Sequence, residues 1–432
     1  MGKEMTSRIS GFYKLSPEDR LKMVASFSGL SEAESETIYG GKGLAIDAAD
    51  RMIENVIGTM AFPFGVAVNF RVNSKDYLVP MVLEEPSVVA AASNAARVMR
   101  EGSGIEAEST NSIMIGQVQI LGIEKPEEAR SEILKRKAEV IELANQQDPM
   151  LVRLGGGCQD LEVRIIDSRI GPMVIVHIHV DCKDVMGANT VDTMAEAIAP
   201  KLENITGGKA LLKIISNLAD RRLVRVKATI KKEELGGEDV ADAIVAASAF
   251  AEADPYRAAT HNKGILNGVI AVALATAQDH RAIEAGGHSF ASKTGRYLPL
   301  AKWEKTLEGN LRGSLEMPMP VGTVGGTTRV HPVARVALKI LAVRSARELA
   351  ELMGAVGLAQ NLAALRALAT EGIQRGHMRL HARNLVTMAG AEGDLVDKAV
   401  EELLSSGEIR YDKAVEIVGK MKELRPKMSG SP

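Results

Sequence analysis

The chain has two cysteines in 432 residues, Cys158 and Cys182, and they form no CxxC pair. That argues against a disulfide framework or a Cys-rich zinc site, and it fits a reducing, cytoplasmic compartment. The first residues, MGKEMTSRISGFYK, lack the apolar core of a signal peptide. Gly2 with Thr6 fits the loose myristoylation pattern, a match that short patterns make by chance. The apolar stretch from Val269 to Ala277 is too short to span a bilayer, so no membrane partner is expected. A formal net charge of −2 gives no electrostatic case for nucleic acid. GxGxxG, a Walker A loop and HExxH are all missing. His377 and His381 lie four apart, and His177 and His179 share a strand face without a third ligand of recognisable spacing, so no metal is expected.

The length allows two or three domains and a large core, and 46% apolar with 25% charged residues is ordinary for a globular protein. Ser16-Pro17 and Ser31-x-x-Glu34 are helix starts, an N-cap with Pro at N1 and a capping box. Val66 to Phe70 and Tyr77 to Leu83 read as strands around an Asn73-Ser74-Lys75-Asp76 turn, and Pro86 opens an Ala-rich helix running to about Gly102. Strands at Ile113 to Gly122, Leu161 to Ile166, Met173 to Val180 and Ala210 to Ile215 are separated by helical stretches near 126–146 and 188–204. Their order is the split βαβ, ferredoxin-like pattern, which places an inserted unit at about 111–219. A strand from Leu223 to Ile230, several helices and a long helix from the capping box Ser345-x-x-Glu348 follow, with Leu349, Leu352, Met353 and Val356 forming one buried stripe. The last fifty or so residues are charged and helical.

Three polar segments stand out. Glu84-Glu85-Pro86-Ser87 follows a largely apolar run and precedes a helix. Acids there either pair with the helix dipole or, desolvated at the mouth of a strand, hold a proton near neutral pH. The dense polar run from Asp254 to Gly264 reads as a loop in which Lys263 either polarises a carbonyl or forms a solvated ion pair. Asp184-Val185-Met186-Gly187-Ala188-Asn189 joins a strand to a helix, and Gly187 either lets backbone amides approach a pyrophosphate or simply makes a tight turn. A dinucleotide bound there would sit outside a Rossmann frame.

These segments, with 52–59 (MIENVIGT), 316–322 (EMPMPVG) and 369–378 (ATEGIQRGHM), resemble the class II 3-hydroxy-3-methylglutaryl-coenzyme A (HMG-CoA) reductases over nearly the whole chain. Any one could be chance; all six in order are highly specific. The one departure noted is Val185, where the family usually has alanine. The resemblance implies an α+β / α/β multidomain fold. A helix-rich HMG-CoA-binding domain (1–110 and 220–375) is interrupted by a ferredoxin-like cofactor domain (111–219) and followed by a C-terminal helical flap (376–432). It implies an obligate homodimer with shared active sites, the substrate on one subunit and the nicotinamide on the other's small domain. HMG-CoA, mevalonate and coenzyme A are then the substrates and products, linked by two hydride transfers in either direction.

The resemblance also assigns residues. Glu85 is the acid in mevaldehyde reduction, Lys263 holds the oxyanion, Asp279 keeps Lys263 charged and oriented, and His377 protonates the departing thiolate. Ser87, Arg257, Asn267 and Asn361 bind the carboxylate and hydroxyl end of the substrate. Asp184, Met186, Gly187, Asn189 and Asn217 lie at the cofactor. Asp148 meets the adenosine ribose, which favours NAD(H), with NADP(H) as second choice because Arg153 is near in sequence. The rival readings are a non-catalytic acyl-CoA-binding homologue and an oxidoreductase acting on a different acyl-CoA.

Overall fold

The computed structural model of the chain describes residues 6–41, 43–101, 104–370 and 373–423, the last stretch with side chains from 381 onward. Its strands, in chain order, are β1 (Phe64–Val72), β2 (Lys75–Val82), β3 (Ile105–Ser109), β4 (Ile113–Leu121), β5 (Gly157–Ile166), β6 (Met173–Asp181), β7 (Lys209–Ser216), β8 (Leu223–Ile230), β9 (Ala301–Lys305) and β10 (Leu311–Pro318). They form a six-stranded sheet, β2-β1-β3-β8-β10-β9, and a four-stranded sheet, β5-β6-β4-β7. The smaller sheet is antiparallel throughout, and in the larger one only β1 and β3 run parallel.

Local chemistry sets several boundaries. The turn between β1 and β2 is tighter than expected. Lys75 and Asp76 pair with Val72 and Arg71, leaving Asn73 and Ser74 as a two-residue turn with φ of 48° and 65°. Both residues take the left-handed conformation that the twist of a two-residue hairpin favours. Ser16 and Ser31 cap their helices as expected, the second with the full reciprocal box. At Ser345 only half the box forms: its side chain accepts from the Glu348 amide, while the Glu348 carboxylate takes the Arg344 amide, Lys75 and Tyr77. The 126–146 stretch is two helices, Pro126–Lys135 and Lys137–Asn145, broken at Arg136.

Burial follows the period of each element. On β6, Val174, Val176, Ile178 and Val180 join Val191, Met194 and Ile198 of the Ala188–Thr206 helix in one core between sheet and helices. The larger core surrounds the Ala346–Ala369 helix, which packs on the Pro255–Ala275 helix and on β3 and β8. The expected stripe is buried, but so are Ala350, Ala355, Leu358, Ala359 and Leu362, so apolar contact extends around the helix. It is long and apolar enough by composition to cross a membrane, yet most of it lies inside this core. The strands β9 and β10 were not expected; only helices were anticipated beyond β8. They extend the large sheet, and the Trp303 ring of β9 covers Gly313 of β10, where a Cβ would collide with it.

The Ile373–Met388, Asp394–Ser405 and Tyr411–Glu423 helices have an apolar cluster of their own, including Ala382, Val386, Ala399, Leu403 and Ile417. A cluster that shares no residue with the main core should unfold separately. Leu403→Ala should cost about 2–5 kcal/mol of local stability and raise amide exchange across 382–418. Exchange in β8 and β10 should stay at parent rates; faster exchange there would mean that the two cores unfold as one.

Candidate active site

Chemically competent side chains gather in two places. The first lies where β2 ends. The chain turns through Glu85, and Ser87 enters the Val88–Arg100 helix at φ 76° without a side-chain capping bond. A non-glycine residue in that conformation carries roughly 1–3 kcal/mol of strain, and its hydroxyl stays free of capping duty. Opposite stands the polar run 254–264. It is not the loop expected from its composition. Asp254 is an N-cap accepting from the Tyr256 amide, Pro255 is at N1, and the run forms the opening turns of the Pro255–Ala275 helix. One side of that helix presents Lys263 and, four residues on, Asn267. Lys263 Nζ lies 2.9 Å from Glu85 Oε2, and Asn267 Nδ2 reaches the same oxygen at 3.5 Å. Glu85 is therefore half-exposed and paired with a lysine, where sequence allowed a carboxyl enclosed by apolar walls. Arg257 sits nearly two turns earlier, half-buried, and burial draws its pKa below the usual arginine value. Toward the core, His261 is buried, and desolvation together with Arg257 holds its pKa down at about 4.

The second gathering surrounds the 184–189 turn. Gly187 has φ 108° at the start of the Ala188–Thr206 helix, and a Cβ there would collide with the Cys182 sulfur. Gly322 is needed for a different reason. A Cβ on it would stand 2.7 Å from the Met186 nitrogen, so only glycine lets the 320–326 loop lie against the turn. Gln278 locks that approach, donating to Gly322 O at 2.9 Å and accepting from Gly322 N at 2.8 Å. Asp184 accepts from the Ala346 amide at 2.8 Å, tying the turn to the start of the long helix. Met186, Gly187, Asn189, Gln278, Asp279 and Gly322 line a cavity of about 400 Å³. Asn217, exposed after β7, has its carbonyl against Gly286 of the His280–Ala291 helix.

Several site residues are not where their assigned roles need them within one chain. Asp279 caps the His280–Ala291 helix through the Ala282 amide at 3.1 Å and pairs with Arg281 at 3.2 Å. From Lys263 to the helix end at Ala275 is about 18 Å at 1.5 Å per residue, and within the chain Lys263 pairs with Glu85 while Asp279 pairs with Arg281. Asn361 is buried and its Oδ1 accepts from Trp303 Nε1 at 2.7 Å, which makes it at least a support for that ring. Asp148 caps the Pro149–Arg153 helix through the Leu151 amide at 2.9 Å. Among the described residues its other oxygen accepts no hydrogen bond. His377 falls in the Ile373–Met388 helix, and its side chain lies outside the described residues.

Sequence reading missed Arg222. It is 4% exposed, and its guanidinium donates to Met186 O at 2.9 Å, to Val185 O at 3.2 Å and to Val321 O. Burial lowers its pKa, with Cys182, Asp181 and Asp184 opposing that shift. Its neighbours Asp220 and Arg221 give no hint that this arginine points inward.

The family model described as hydroxymethylglutaryl-coenzyme A reductase matches residues 16–382. The chain belongs to that family. It is 58% identical over 418 residues to the 3-hydroxy-3-methylglutaryl-coenzyme A reductase of Archaeoglobus fulgidus, covering 97% of this chain and 95% of that one. A probable reductase of the same name from Borreliella burgdorferi is 36% identical over 383 residues, 86% of each chain. Among solved structures, the enzyme from Streptococcus pneumoniae superposes with a TM-score of 0.82 at 41% identity, covering 95% of this chain and 99% of that chain. A second structure, a class II enzyme from the same organism bound to NADPH in open conformations, gives 0.81 at 42% identity over 84% of this chain and 99% of that one. The mixed α/β multidomain fold is thus that of the reductase family.

Arg222→Lys keeps the charge but cannot span two loops with one fork. It should lower unfolding free energy by about 2–4 kcal/mol, one or two charged hydrogen bonds, and speed amide exchange in 184–189 and 320–324. Exchange at parent rates in both loops would show that other contacts hold them.

Proposed function

We propose that the chain interconverts HMG-CoA and mevalonate plus coenzyme A by two successive hydride transfers, in an active site assembled from two subunits. The observation that carries this is the division of the site residues. Glu85, Ser87, Lys263 and Asn267 gather beside the middle of the Pro255–Ala275 helix, where Lys263 pairs with Glu85; Asp279 follows the helix's C-terminal end, beside the 184–189 turn, and pairs with Arg281. Neither half has a complete set of donors and acids. Paired across a homodimer, one subunit's Asp279 and glycine turn face the other's lysine.

The residues present suit the chemistry. The amides that open the Ala188–Thr206 helix, with Gly187 keeping side-chain bulk away, offer an anion site fit for a pyrophosphate. The bound nicotinamide supplies the hydride. Lys263 holds the oxygen that gains negative charge, and Glu85, one hydrogen bond away, delivers the proton to that oxygen as mevaldehyde is reduced. Asp279 of the partner keeps the ammonium charged and oriented. His377 protonates the departing thiolate. Ser87, Arg257, Asn267 and Asn361 bind the substrate's carboxylate and hydroxyl end. Asp184 and Met186 shape the turn, with Asn189 and Asn217 at the cofactor.

The domain reading follows the same division. The order β5-β6-β4-β7, all antiparallel, supports a ferredoxin-like cofactor domain at 111–219. The separate apolar cluster within 382–418 supports a flap at 376–432, leaving 1–110 and 220–375 as the substrate domain. Two buried free cysteines, with pKa values pushed up to about 12 chiefly by burial, fit a reducing cytoplasm. A non-catalytic acyl-CoA binder would have no use for the Glu85–Lys263 pair, and 58% identity to a named reductase disfavours a different acyl-CoA substrate.

Hybrid dimers test the shared site. Lys263→Ala should lose at least ~2.7 kcal/mol of transition-state stabilisation, about a hundredfold in kcat, and Asp279→Ala should be similarly impaired. Refolded together, they should recover about one quarter of parent activity, because half the dimers are mixed and each mixed dimer has one intact site. A mixture no more active than its parts would place Lys263 and Asp279 in separate, unshared sites.

Cofactor choice rests on Asp148. It lies close enough to Cys182, beside the glycine turn, to add to the upward push on that thiol. A carboxylate there accepts from ribose hydroxyls and repels a 2′-phosphate by about 1–4 kcal/mol at 4 Å. NADH should therefore be preferred to NADPH roughly tenfold to a thousandfold in kcat/KM, and Asp148→Ala should collapse the ratio. A parent using both cofactors equally, or a variant with the parent's ratio, would remove Asp148 from that role.

A further inference from the structure

Spacing along the sequence offers His177 and His179 no third ligand, but the fold supplies one. Both project from β6 on the face opposite Val176, Ile178 and Val180, which belong to the helix-covered core. In the register of β5 on β6, Glu162 stands across from His177 and Asp160 across from His179. Glu162, His177 and His179 each place a potential ligand atom within 4.8 Å of the others.

His179 carries the argument. It is 5% exposed, and its Nε2 is buried without a hydrogen-bond partner. Nδ1 lies 3.8 Å from Asp160 Oδ2, and Nε2 lies 3.9 Å from Glu162 Oε2. Both distances are too long for hydrogen bonds. A neutral imidazole has one N–H and one lone pair, so whichever nitrogen holds the proton, the other aims a lone pair at a carboxylate. A positive centre between them relieves that arrangement. Desolvation, with Arg221 and Lys137, lowers the ring's pKa against the opposing pull of Asp160 and Glu162. A metal ion needs the neutral ring that burial already favours.

We propose that Glu162, His177 and His179 form a divalent transition-metal site of the two-histidine, one-carboxylate kind that accepts zinc, on the face of the small sheet turned away from its helices. In a tetrahedral site, zinc bonds of about 2.0–2.2 Å set ligand atoms roughly 3.3–3.6 Å apart, so the 3.9 Å separation of His179 from Glu162 needs to close by about 0.5 Å. The widest separation the cluster allows, 4.8 Å, closes with a shift of about 1.4 Å, a rotamer-scale movement of the exposed Glu162 side chain. Gln117 Nε2 lies 2.8 Å from His177 Nε2; with the amide turned so that its oxygen accepts from Nε2–H, this contact would fix the ring with Nδ1 as the ligand. Lys137 engages Asp160, which leaves water for the fourth position. Arg221, 3.7 Å from Glu162, is the group that competes with the ion. The site is independent of the reductase reading, since none of its residues belongs to the catalytic or cofactor set.

The test uses full-length protein stripped with a chelator and titrated with zinc against a chromogenic competitor, with cobalt absorption as a second readout. The parent should bind about one ion per chain with a tetrahedral cobalt spectrum. His177→Ala/His179→Ala should abolish that binding, and Glu162→Gln should weaken it about tenfold or more. Glu162 is half-exposed, so its variant reports even where the double variant folds poorly. Arg221→Ala should tighten binding, and His381→Ala should leave it unchanged. No binding by the parent at micromolar zinc, parent-like binding by Glu162→Gln, or loss of binding in His381→Ala would each overturn the proposal.

Discussion

A guanidinium bonded to three main-chain carbonyls is an uncommon way to join two units of a protein, and here much else depends on it. Arg222 lies between the small sheet and β8, and its fork fixes Val185 and Met186 on one side and Val321 on the other. Those carbonyls belong to segments more than a hundred residues apart in sequence, and without the arginine they would be buried acceptors lacking donors. Around it the same segments exchange further polar bonds, Thr323 N to Asp184 O at 2.9 Å and Gln278 with both main-chain groups of Gly322. The junction is therefore specified by direction as well as by apolar area, which is what a turn that must present its amides to a ligand requires.

From this junction the constraint passes into the main core. Asp184 meets the first amide of the Ala346–Ala369 helix, where a carboxylate also suits the helix dipole. That helix runs beside the Pro255–Ala275 helix, where a Cβ added to Gly264 of the latter would come to 3.7 Å from the Ala364 side chain. The glycine turn and Lys263 are thus related through two packed rigid helices, although they share no direct contact.

Much of this was legible in the sequence, and the failures have physical reasons. Cap chemistry located Ser16, Ser31 and Ser345, and β8 was found at its observed bounds because its apolar residues alternate without interruption. The 254–264 run was misread because polarity was given more weight than the Asp-Pro helix start; its side chains are polar because they line a site, and its backbone is helical. The strands β9 and β10 carry little β signal, since Gly313, Ser314 and charged residues dilute their alternation, and Trp303 contributes only once paired across to Gly313. Cross-strand neighbours such as Glu162 and His177 are invisible to spacing along one strand. A buried arginine such as Arg222 has no sequence signature at all, because composition treats every arginine as a surface charge. Asn361 carries both readings at once: the family pattern marks it as a substrate contact, and the fold gives its amide oxygen to the Trp303 indole.

The Pro255–Ala275 helix also limits how the site can close. Its backbone bonds hold Lys263 about 18 Å along the axis from Ala275, after which comes the segment that carries Gln278 and Asp279. Two freedoms remain. One belongs to the proposed dimer, in which the second subunit's helix, of the same length, would present its Asp279 at a defined place. The other is the C-terminal helices, whose separate apolar cluster lets them move as a unit without disturbing the main core. On the proposed reading the first would set the geometry of the charged groups, and the second would control access of water to them. A site that must pass a hydride twice and release a thiol between the two steps needs both, because the charged groups must stay in register while the cover opens.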